Sequence, residues 1–191
     1  GAREQAGALW VQQEGGQFNI HQSGLFESDA ISEDIDCAFF DATGNGLDDL
    51  YVVSGGNSFS SGSSALSDRF YRNDGNGRFQ KSSQILPTTR GFEPGSVVAP
   101  YDFTGDGIID LFVGIRLKPF AVGVPVNGYL LEGDGEGQFT DITDQFAPLL
   151  LDFGMITDAL WADITGDDQS ELIIAGEWMP IRVFEIEDGQ L

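Results

Sequence analysis

A short acidic segment occurs three times in this chain of 191 residues at a constant spacing, and that period limits the fold more than any other feature. The segments begin 61 residues apart, at Asp41, Asp102 and Asp163. A second marker, a glycine-rich turn followed by phenylalanine, recurs at intervals of 61 and 60 residues, at Phe18, Phe79 and Phe139. Two markers that share one period predict a repeat architecture.

Short apolar runs flank each acidic segment. They cover residues 37–40, 97–101 and 159–162 before the segments and residues 50–53, 111–113 and 172–175 after them. Nearly continuous apolar runs of this length predict strands that are covered on both faces. Two amphipathic runs then follow in each complete period, separated by a glycine-rich hairpin turn. Each period therefore predicts four strands, which we call A, B, C and D in chain order.

Four antiparallel strands per period predict an all-β fold built from β-propeller blades. Three periods are fewer than the four to eight blades of typical closed propellers, so the expected fold is a partial propeller. Four units are predicted. Residues 1–30 form the outer C–D hairpin of a preceding blade, residues 31–90 and 91–150 form blades with the first and second acidic loops, and residues 151–191 form an incomplete blade with the third. Self-association that completes the blades between chains is a further expectation.

The composition excludes several classes of function. Nine basic against 31 acidic residues give a formal net charge of −22, which disfavours nucleic acid as a partner. No stretch reaches the roughly 20 apolar residues of a membrane span. One cysteine and one histidine exclude an intrachain disulfide and His-rich metal or hydrolase sites, so no catalytic residue is predicted.

The acidic segments carry oxygen-bearing side chains at loop positions 1, 3, 5 and 9. Alternate side chains in a tight loop converge, and position 7 can add the backbone carbonyl of Leu47, Ile108 or Gln169. Hard oxygen donors favour Ca²⁺, with Mg²⁺ less suited, and two to three ions are expected. Asp, Asn, Gly and Thr also form turns without a metal. An EF-hand is excluded because its last acid stands at position 12.

The segment at residues 102–114 resembles the FG-GAP/VCBS repeat of integrin-α-type β-propellers, and residues 73–79 resemble the hairpin of bacterial VCBS-repeat proteins, including those with an ASPIC/UnbV domain. The resemblance extends from about Leu9 and implies Ca²⁺ binding in the A–B loops. The implied side-chain ligands are Asp41, Thr43, Asn45 and Asp49; Asp102, Thr104, Asp106 and Asp110; and Asp163, Thr165, Asp167 and Glu171.

Two departures from the family pattern affect these sites. Threonine occupies position 3, where the family usually has Asp or Asn, and Asp168 stands where the other two loops have glycine. The third loop is therefore expected to be the least certain site. The second loop, with three carboxylates, is expected to bind most tightly.

The resemblance implies a calcium-binding interaction or adhesion module of a larger secreted or cell-surface protein, located outside the cell, on its surface or in the periplasm. The alternative is a scaffold or part of a polysaccharide-acting lyase or hydrolase, and the sequence favours the interaction module over an enzyme without deciding between them. The loops opposite the acidic segments form either a solvated rim or a contact surface for a protein or an acidic glycan, whose identity the sequence leaves open. These loops carry basic and aromatic residues: Arg90, Phe92, Arg116, Lys118 and Phe120.

Overall fold

The computed structural model describes residues 4–89, 91–187 and 189–191. Its strands are β1 (Leu9–Gln12), β2 (Phe18–His21), β3 (Glu33–Phe40), β4 (Asp49–Gly55), β5 (Arg69–Asn73), β6 (Phe79–Lys81), β7 (Gly95–Tyr101), β8 (Asp110–Ile115), β9 (Gly128–Gly133), β10 (Phe139–Asp141), β11 (Met155–Ala162), β12 (Glu171–Glu177) and β13 (Arg182–Phe184). The helical segments are α1 (Thr143–Phe146) and the 3₁₀ turns Glu27–Asp29, Ser64–Leu66 and Pro148–Leu150.

The strands form three antiparallel sheets and a separate hairpin, with neighbours in space following chain order. We call β3–β4–β5–β6 the first sheet, β7–β8–β9–β10 the second sheet and β11–β12–β13 the third sheet, while β1 and β2 form the hairpin. Four-stranded antiparallel meanders without a closed barrel confirm the predicted all-β, partial-propeller fold. None of the helices in the described ranges is long and apolar enough to cross a bilayer.

The period of the sequence is also the period of backbone pairing. Phe40 pairs with Asp49, Tyr101 with Asp110 and Ala162 with Glu171, so each acidic loop closes the same A–B strand pair. Every A strand also contains a register shift, and the residues skipped are Ile35, Ser96 and Thr157. An extra residue increases the local twist of a strand, which lets successive sheets stack with similar geometry.

Two apolar cores hold the three sheets together. Tyr51, Val53 and Phe70 of the first sheet pack with Leu111 and Val113 of the second in one buried cluster. The other cluster joins the opposite face of the second sheet to the third sheet, through Val97, Ala99, Phe112, Leu130, Ile156, Leu172 and Ile174. Because both faces of the second sheet are covered, its strands are almost continuously apolar.

A glutamine that follows the D strand fastens each outer hairpin to the next sheet. The amide of Gln22 donates to the carbonyl of Phe79 at 2.7 Å and accepts from the N–H of the same residue at 2.7 Å. Gln84 makes the corresponding bonds, donating to the carbonyl of Gly137 at 2.7 Å and accepting from Phe139 N–H at 2.8 Å. The β1–β2 hairpin is thus attached to the first sheet as β5–β6 is attached to the second.

Candidate metal loops

The three acidic segments connect the A and B strands of their sheets, and we call residues 41–49, 102–110 and 163–171 the first, second and third loops. In the first two sheets the loop lies beside the C–D turn. Asn73 donates from its side-chain amide to the Asp48 carbonyl at 3.1 Å, and a β-carbon on Gly135 would lie 3.2 Å from the Ile108 side chain. Acidic loops and glycine turns therefore share one end of the sheets.

The position-1 aspartates organise each loop by accepting backbone N–H groups. Asp41 accepts from Thr43, Asn45 and Gly46 at 3.2, 3.1 and 2.7 Å. Asp102 and Asp163 repeat this arrangement, accepting respectively from three and from two N–H groups of their own loops. Burial opposes ionisation of Asp41, but the backbone N–H groups outweigh it and lower the pKa of that carboxyl.

The position-5 side chains close a second, smaller turn. The side-chain oxygens of Asn45, Asp106 and Asp167 accept from the N–H two residues later at 2.8, 2.8 and 3.0 Å. These N–H groups belong to the position-7 residues, which are Leu47, Ile108 and Gln169. Asx turns of this kind fix the loop while leaving lone pairs on the side-chain oxygen.

The position-9 acids are buried, and in the first two loops they join the loop to the C strand. Asp49 accepts from Ala42 N–H at 3.3 Å and from Asn73 N–H at 2.7 Å. Asp110 accepts from Phe103 and Thr104 N–H at 3.1 Å each and, through its other oxygen, from Gly133 N–H at 2.9 Å. Burial raises the pKa of Asp49 and Asp110, and these N–H groups oppose the rise.

Glu171 occupies the same position in the third loop but bonds only within that loop. Its carboxylate accepts from Ile164 N–H at 2.8 Å and from the Thr165 hydroxyl at 3.2 Å. One oxygen from each of Asp163, Asp167 and Glu171 lies within 4.8 Å of the others, and this is the only such group of three acids among the residues that the structure describes. The sequence predicted that the side-chain oxygens of each loop converge on one point. In the third loop three carboxylates do so.

The position-3 threonines differ between the loops. The Thr104 hydroxyl donates to Asp110 at 3.0 Å, and the Thr165 hydroxyl donates to Glu171. The Thr43 hydroxyl is buried without a hydrogen-bond partner. An unpaired buried oxygen is costly, so a cation held by this loop would satisfy Thr43 Oγ1.

Asp168 adopts the backbone conformation that glycine adopts in the other loops. Its φ is +69°, against +80° for Gly46 and +87° for Gly107. The substitution that made the third loop doubtful is therefore accommodated with the same loop shape. The left-handed conformation remains less favourable for aspartate than for glycine.

Two features of the site were missed from the sequence. Sequence reasoning treated the position-9 acids as ligands only, whereas Asp49 and Asp110 also join the loop to the C strand. It also missed the glutamine contacts. Gln22 and Gln84 each follow a predicted D strand, but they are 62 residues apart, one more than the period, so an alignment without gaps does not match them.

The opposite end of the sheets exposes aromatic side chains on loops. Phe120 and Trp178 are 67 % and 81 % exposed, and both have positive φ. A β-carbon on Gly123 would lie 3.0 Å from the Trp178 ring, so glycine permits the indole to lie close to the backbone there. Arg116 bonds to Glu177 at 2.6 Å across two sheets. Arg90, predicted to belong to this surface, lies outside the described residues.

Stacked antiparallel meanders, two of four strands and one of three, with an aspartate-rich loop in each A–B turn define a β-propeller-like repeat protein. The family model of the FG-GAP-like repeat matches residues 41–113, from the first loop into β8. The chain therefore contains FG-GAP-like repeat sequence, as the resemblance predicted. The comparison with curated proteins found no match.

Proposed function

We propose that this protein is a calcium-stabilised β-propeller interaction module of a secreted or cell-surface protein. The observation that carries the proposal is the third loop, where three carboxylates converge within 4.8 Å. Like charges at this separation repel one another unless a proton or a cation intervenes. A cation that binds the folded loop but not the unfolded chain adds its binding free energy to the stability of the fold.

The donor chemistry supports Ca²⁺ as the cation. Carboxylates, a hydroxyl and backbone carbonyls are hard oxygen donors, and Ca²⁺ accepts six to eight of them in variable geometry. Asp163, Asp167 and Glu171 would hold the ion in the third loop, with Thr165 and the Gln169 carbonyl as further donors. Mg²⁺ demands near-ideal octahedral geometry and retains water, which a loop of mixed donors meets less well.

The location follows from the expected affinity. Loops with two or three carboxylates and no dedicated helix–loop–helix frame are expected to bind Ca²⁺ weakly. Weak sites fill where calcium is millimolar, which is the case outside the cytosol. We therefore place the module outside the cell, on its surface or in the periplasm.

The exposed loops support the interaction part of the proposal. Loops on a rigid scaffold are common binding surfaces, and exposed Phe120 and Trp178 are of the residue types that dominate binding energy at interfaces. Either a protein or a glycan ligand fits aromatic side chains of this kind. In this proposal the metal loops stabilise one end of the sheets, and ligand contact takes place at the other.

Thermal unfolding with EDTA, Ca²⁺ or Mg²⁺ at equal ionic strength tests the metal proposal. At a Ca²⁺ concentration of about 100 Kd, one site adds about 2.7 kcal/mol, which raises the Tm of a domain of this size by about 5 °C or more. We expect Glu171→Gln to lose much of this rise and Glu14→Gln, in the hairpin turn, to keep it. An equal Tm in EDTA and Ca²⁺, or an equal rise with Mg²⁺, would contradict the proposal.

A further inference from the structure

Asparagine followed directly by glycine occurs three times in the chain, at residues 45–46, 76–77 and 127–128. Asparagine is a thermally labile residue, because the main-chain nitrogen of the next residue, once it has lost its proton, can attack the side-chain carbonyl carbon. Glycine resists this attack least, since it has no β-carbon to obstruct the approach. The three steps are chemically alike, so any difference in their reactivity comes from the fold around them.

The reaction replaces the side-chain amide by a carboxylate. The glycine nitrogen bonds to Cγ of the asparagine, the bond between Cγ and Nδ2 breaks, and ammonia leaves with the proton that the glycine nitrogen gave up. Water then opens the cyclic imide. Cleavage of the bond to Cγ gives aspartate, and cleavage of the bond to the main-chain carbon gives isoaspartate, in which the chain runs through the former side chain. Either product adds one negative charge.

Two hydrogen bonds oppose this reaction in the first loop. The Gly46 N–H donates to the Asp41 carboxylate at 2.7 Å, and Asn45 Oδ1 accepts from Leu47 N–H at 2.8 Å. Attack by the Gly46 nitrogen would break the first bond and turn the Asn45 side chain out of the second. Breaking both bonds adds to the barrier, so the folded loop protects Asn45.

The step at the start of β9 is also held in place. Asn127 donates through Nδ2 to the Tyr129 hydroxyl at 2.8 Å and accepts at Oδ1 from Asp152 N–H at 2.9 Å. Gly128 is buried in β9, where it pairs with Gly114 of β8. The side chain that would be attacked is thus fixed at both ends, and the attacking residue lies within a sheet.

The step in the C–D turn of the first sheet lacks this protection. Asn76 and Gly77 are exposed in the turn between β5 and β6. The Asp74 carboxylate accepts from Asn76 N–H at 2.9 Å and from Arg78 N–H at 3.2 Å, and it also bonds to the Asn76 side-chain amide. Among the residues that the structure describes, none accepts a hydrogen bond from the Gly77 N–H between them. The attacking nitrogen is therefore open to solvent and to the loss of its proton.

We propose that Asn76 is a deamidation site of the folded protein, and that the hydrogen bonds around Asn45 and Asn127 preserve these two residues. The proposal depends on the arrangement of the three turns and not on whether a metal is bound. It identifies the C–D turn of the first sheet as the place where the chain is modified with time.

The modification has a structural consequence because Gly77 also helps to hold the β1–β2 hairpin. His21 bonds through Nε2 to the Gly77 carbonyl, next to the two bonds between Gln22 and Phe79. Isoaspartate at position 76 lengthens the main chain by a methylene group directly before Gly77, which displaces that carbonyl from His21. Attachment of the hairpin to the first sheet should therefore weaken as isoaspartate accumulates.

Incubation in mildly alkaline buffer with EDTA, followed by peptide mass mapping, tests the site independently of the metal proposal. In the folded protein we expect Asn76 to be converted about tenfold faster than Asn45 or Asn127, since attack at these two must first break hydrogen bonds. In concentrated urea all three should react at similar rates. Equal rates in the folded protein, or an Asn76 that stays intact there while it reacts in urea, would overturn the proposal.

Asn76→Gln is the matched variant, because it keeps the amide but would have to close a larger ring. It should abolish conversion in the C–D turn and leave the rates at Asn45 and Asn127 unchanged. Limited proteolysis of the β1–β2 hairpin, after equal incubation of both proteins, measures the consequence. We expect faster cleavage of the unsubstituted chain, and equal cleavage would overturn the link between position 76 and the hairpin.

Discussion

The second and third loops have the same spacing of acids but use their position-9 carboxylate differently. Asp110 is buried under three backbone N–H groups, one of them from Gly133 at the start of the C–D turn. Glu171, one methylene longer, bonds within its own loop and converges with Asp163 and Asp167.

This difference separates two roles of the acidic loop, which are to hold the loop to its sheet and to bind a cation. A carboxylate saturated by N–H groups holds the loop to its sheet without a cation, because hydrogen bonds stabilise its charge. Carboxylates that face one another need a cation to relieve their repulsion. The second loop is therefore mainly a structural joint, and the third is the better candidate for calcium-dependent stability.

Removing the structural joint should have the largest effect. Asp110→Ala leaves the N–H groups of Thr104 and Gly133 without their acceptor, whereas Phe103 N–H keeps the Tyr101 carbonyl at 3.0 Å. At about 1–3 kcal/mol for each lost acceptor, we expect a loss of about 2–6 kcal/mol in the free energy of unfolding. Glu171→Ala removes one backbone acceptor and one hydroxyl contact and should cost about 1–2 kcal/mol. Urea unfolding in EDTA measures both.

Asp106→Ala is the matched control within the second loop. It removes a single bond to Ile108 N–H at the exposed side of the loop and should cost less than either variant. If Asp110→Ala does not fold, Asp110→Asn, which keeps one acceptor oxygen, replaces it in the same urea measurement. Equal losses for Asp110→Ala and Glu171→Ala would remove the distinction between the two loops.

A buried acid outside the loops makes the free energy of unfolding depend on pH. This contribution has to be measured separately from those of the second and third loops. Asp68 accepts from the Tyr51 hydroxyl at 2.9 Å and from Ser54 N–H at 2.8 Å, and burial raises its pKa from 3.8 to about 7. The folded state therefore holds a proton that the unfolded chain releases above pH 4. The stability should fall as the pH rises from about 4 to about 7 and then level off.

Asp68→Asn tests this, because an amide can bond to both partners without ionising. The variant should lack a loss of about 2–4 kcal/mol between pH 4 and pH 7.5, measured by urea unfolding in EDTA. If both proteins respond equally to pH, the response belongs to the rest of the acidic surface. In either case the loop variants are compared at one fixed pH, so that the pH response does not enter the comparison.

The sequence predicted the parts of the fold that depend on local pattern. The 61-residue period placed the loops, the hairpin turns and the order of the strands, since turn residues and apolar runs are local signals. It could not predict that Asp110 would accept from Gly133, because this bond depends on the register between the consecutive strands β8 and β9, which no local pattern fixes. Nor could it show that the carboxylate of Glu171 lies close to those of Asp163 and Asp167.

Calcium titration tests which loop responds to the metal. From the sequence we expected the second loop to bind Ca²⁺ most tightly, because it carries three carboxylates. The third loop carries three carboxylates at the same positions, and in the structure they lie close together. Asp167→Asn should therefore reduce the calcium-induced rise in Tm more than Asp106→Asn, its equivalent in the second loop. Both variants keep the Asx turn, as Asn45 does in the first loop. The reverse order would restore the ranking by charge.

The smallest effect concerns position 6 of the third loop. Asp168 has a φ of +69°, a conformation that costs a non-glycine residue about 1 kcal/mol, while glycine gives back part of this gain through the greater entropy of the unfolded chain. Asp168→Gly should therefore raise stability in EDTA by about 0.5 kcal/mol, seen as a Tm increase of one or two degrees. Since Asp168 is outside the converging group, the Ca²⁺-induced rise should be nearly unchanged. A lost calcium response would show that Asp168 is itself a ligand, and the third loop would then owe its affinity to added charge rather than to the arrangement of its three acids.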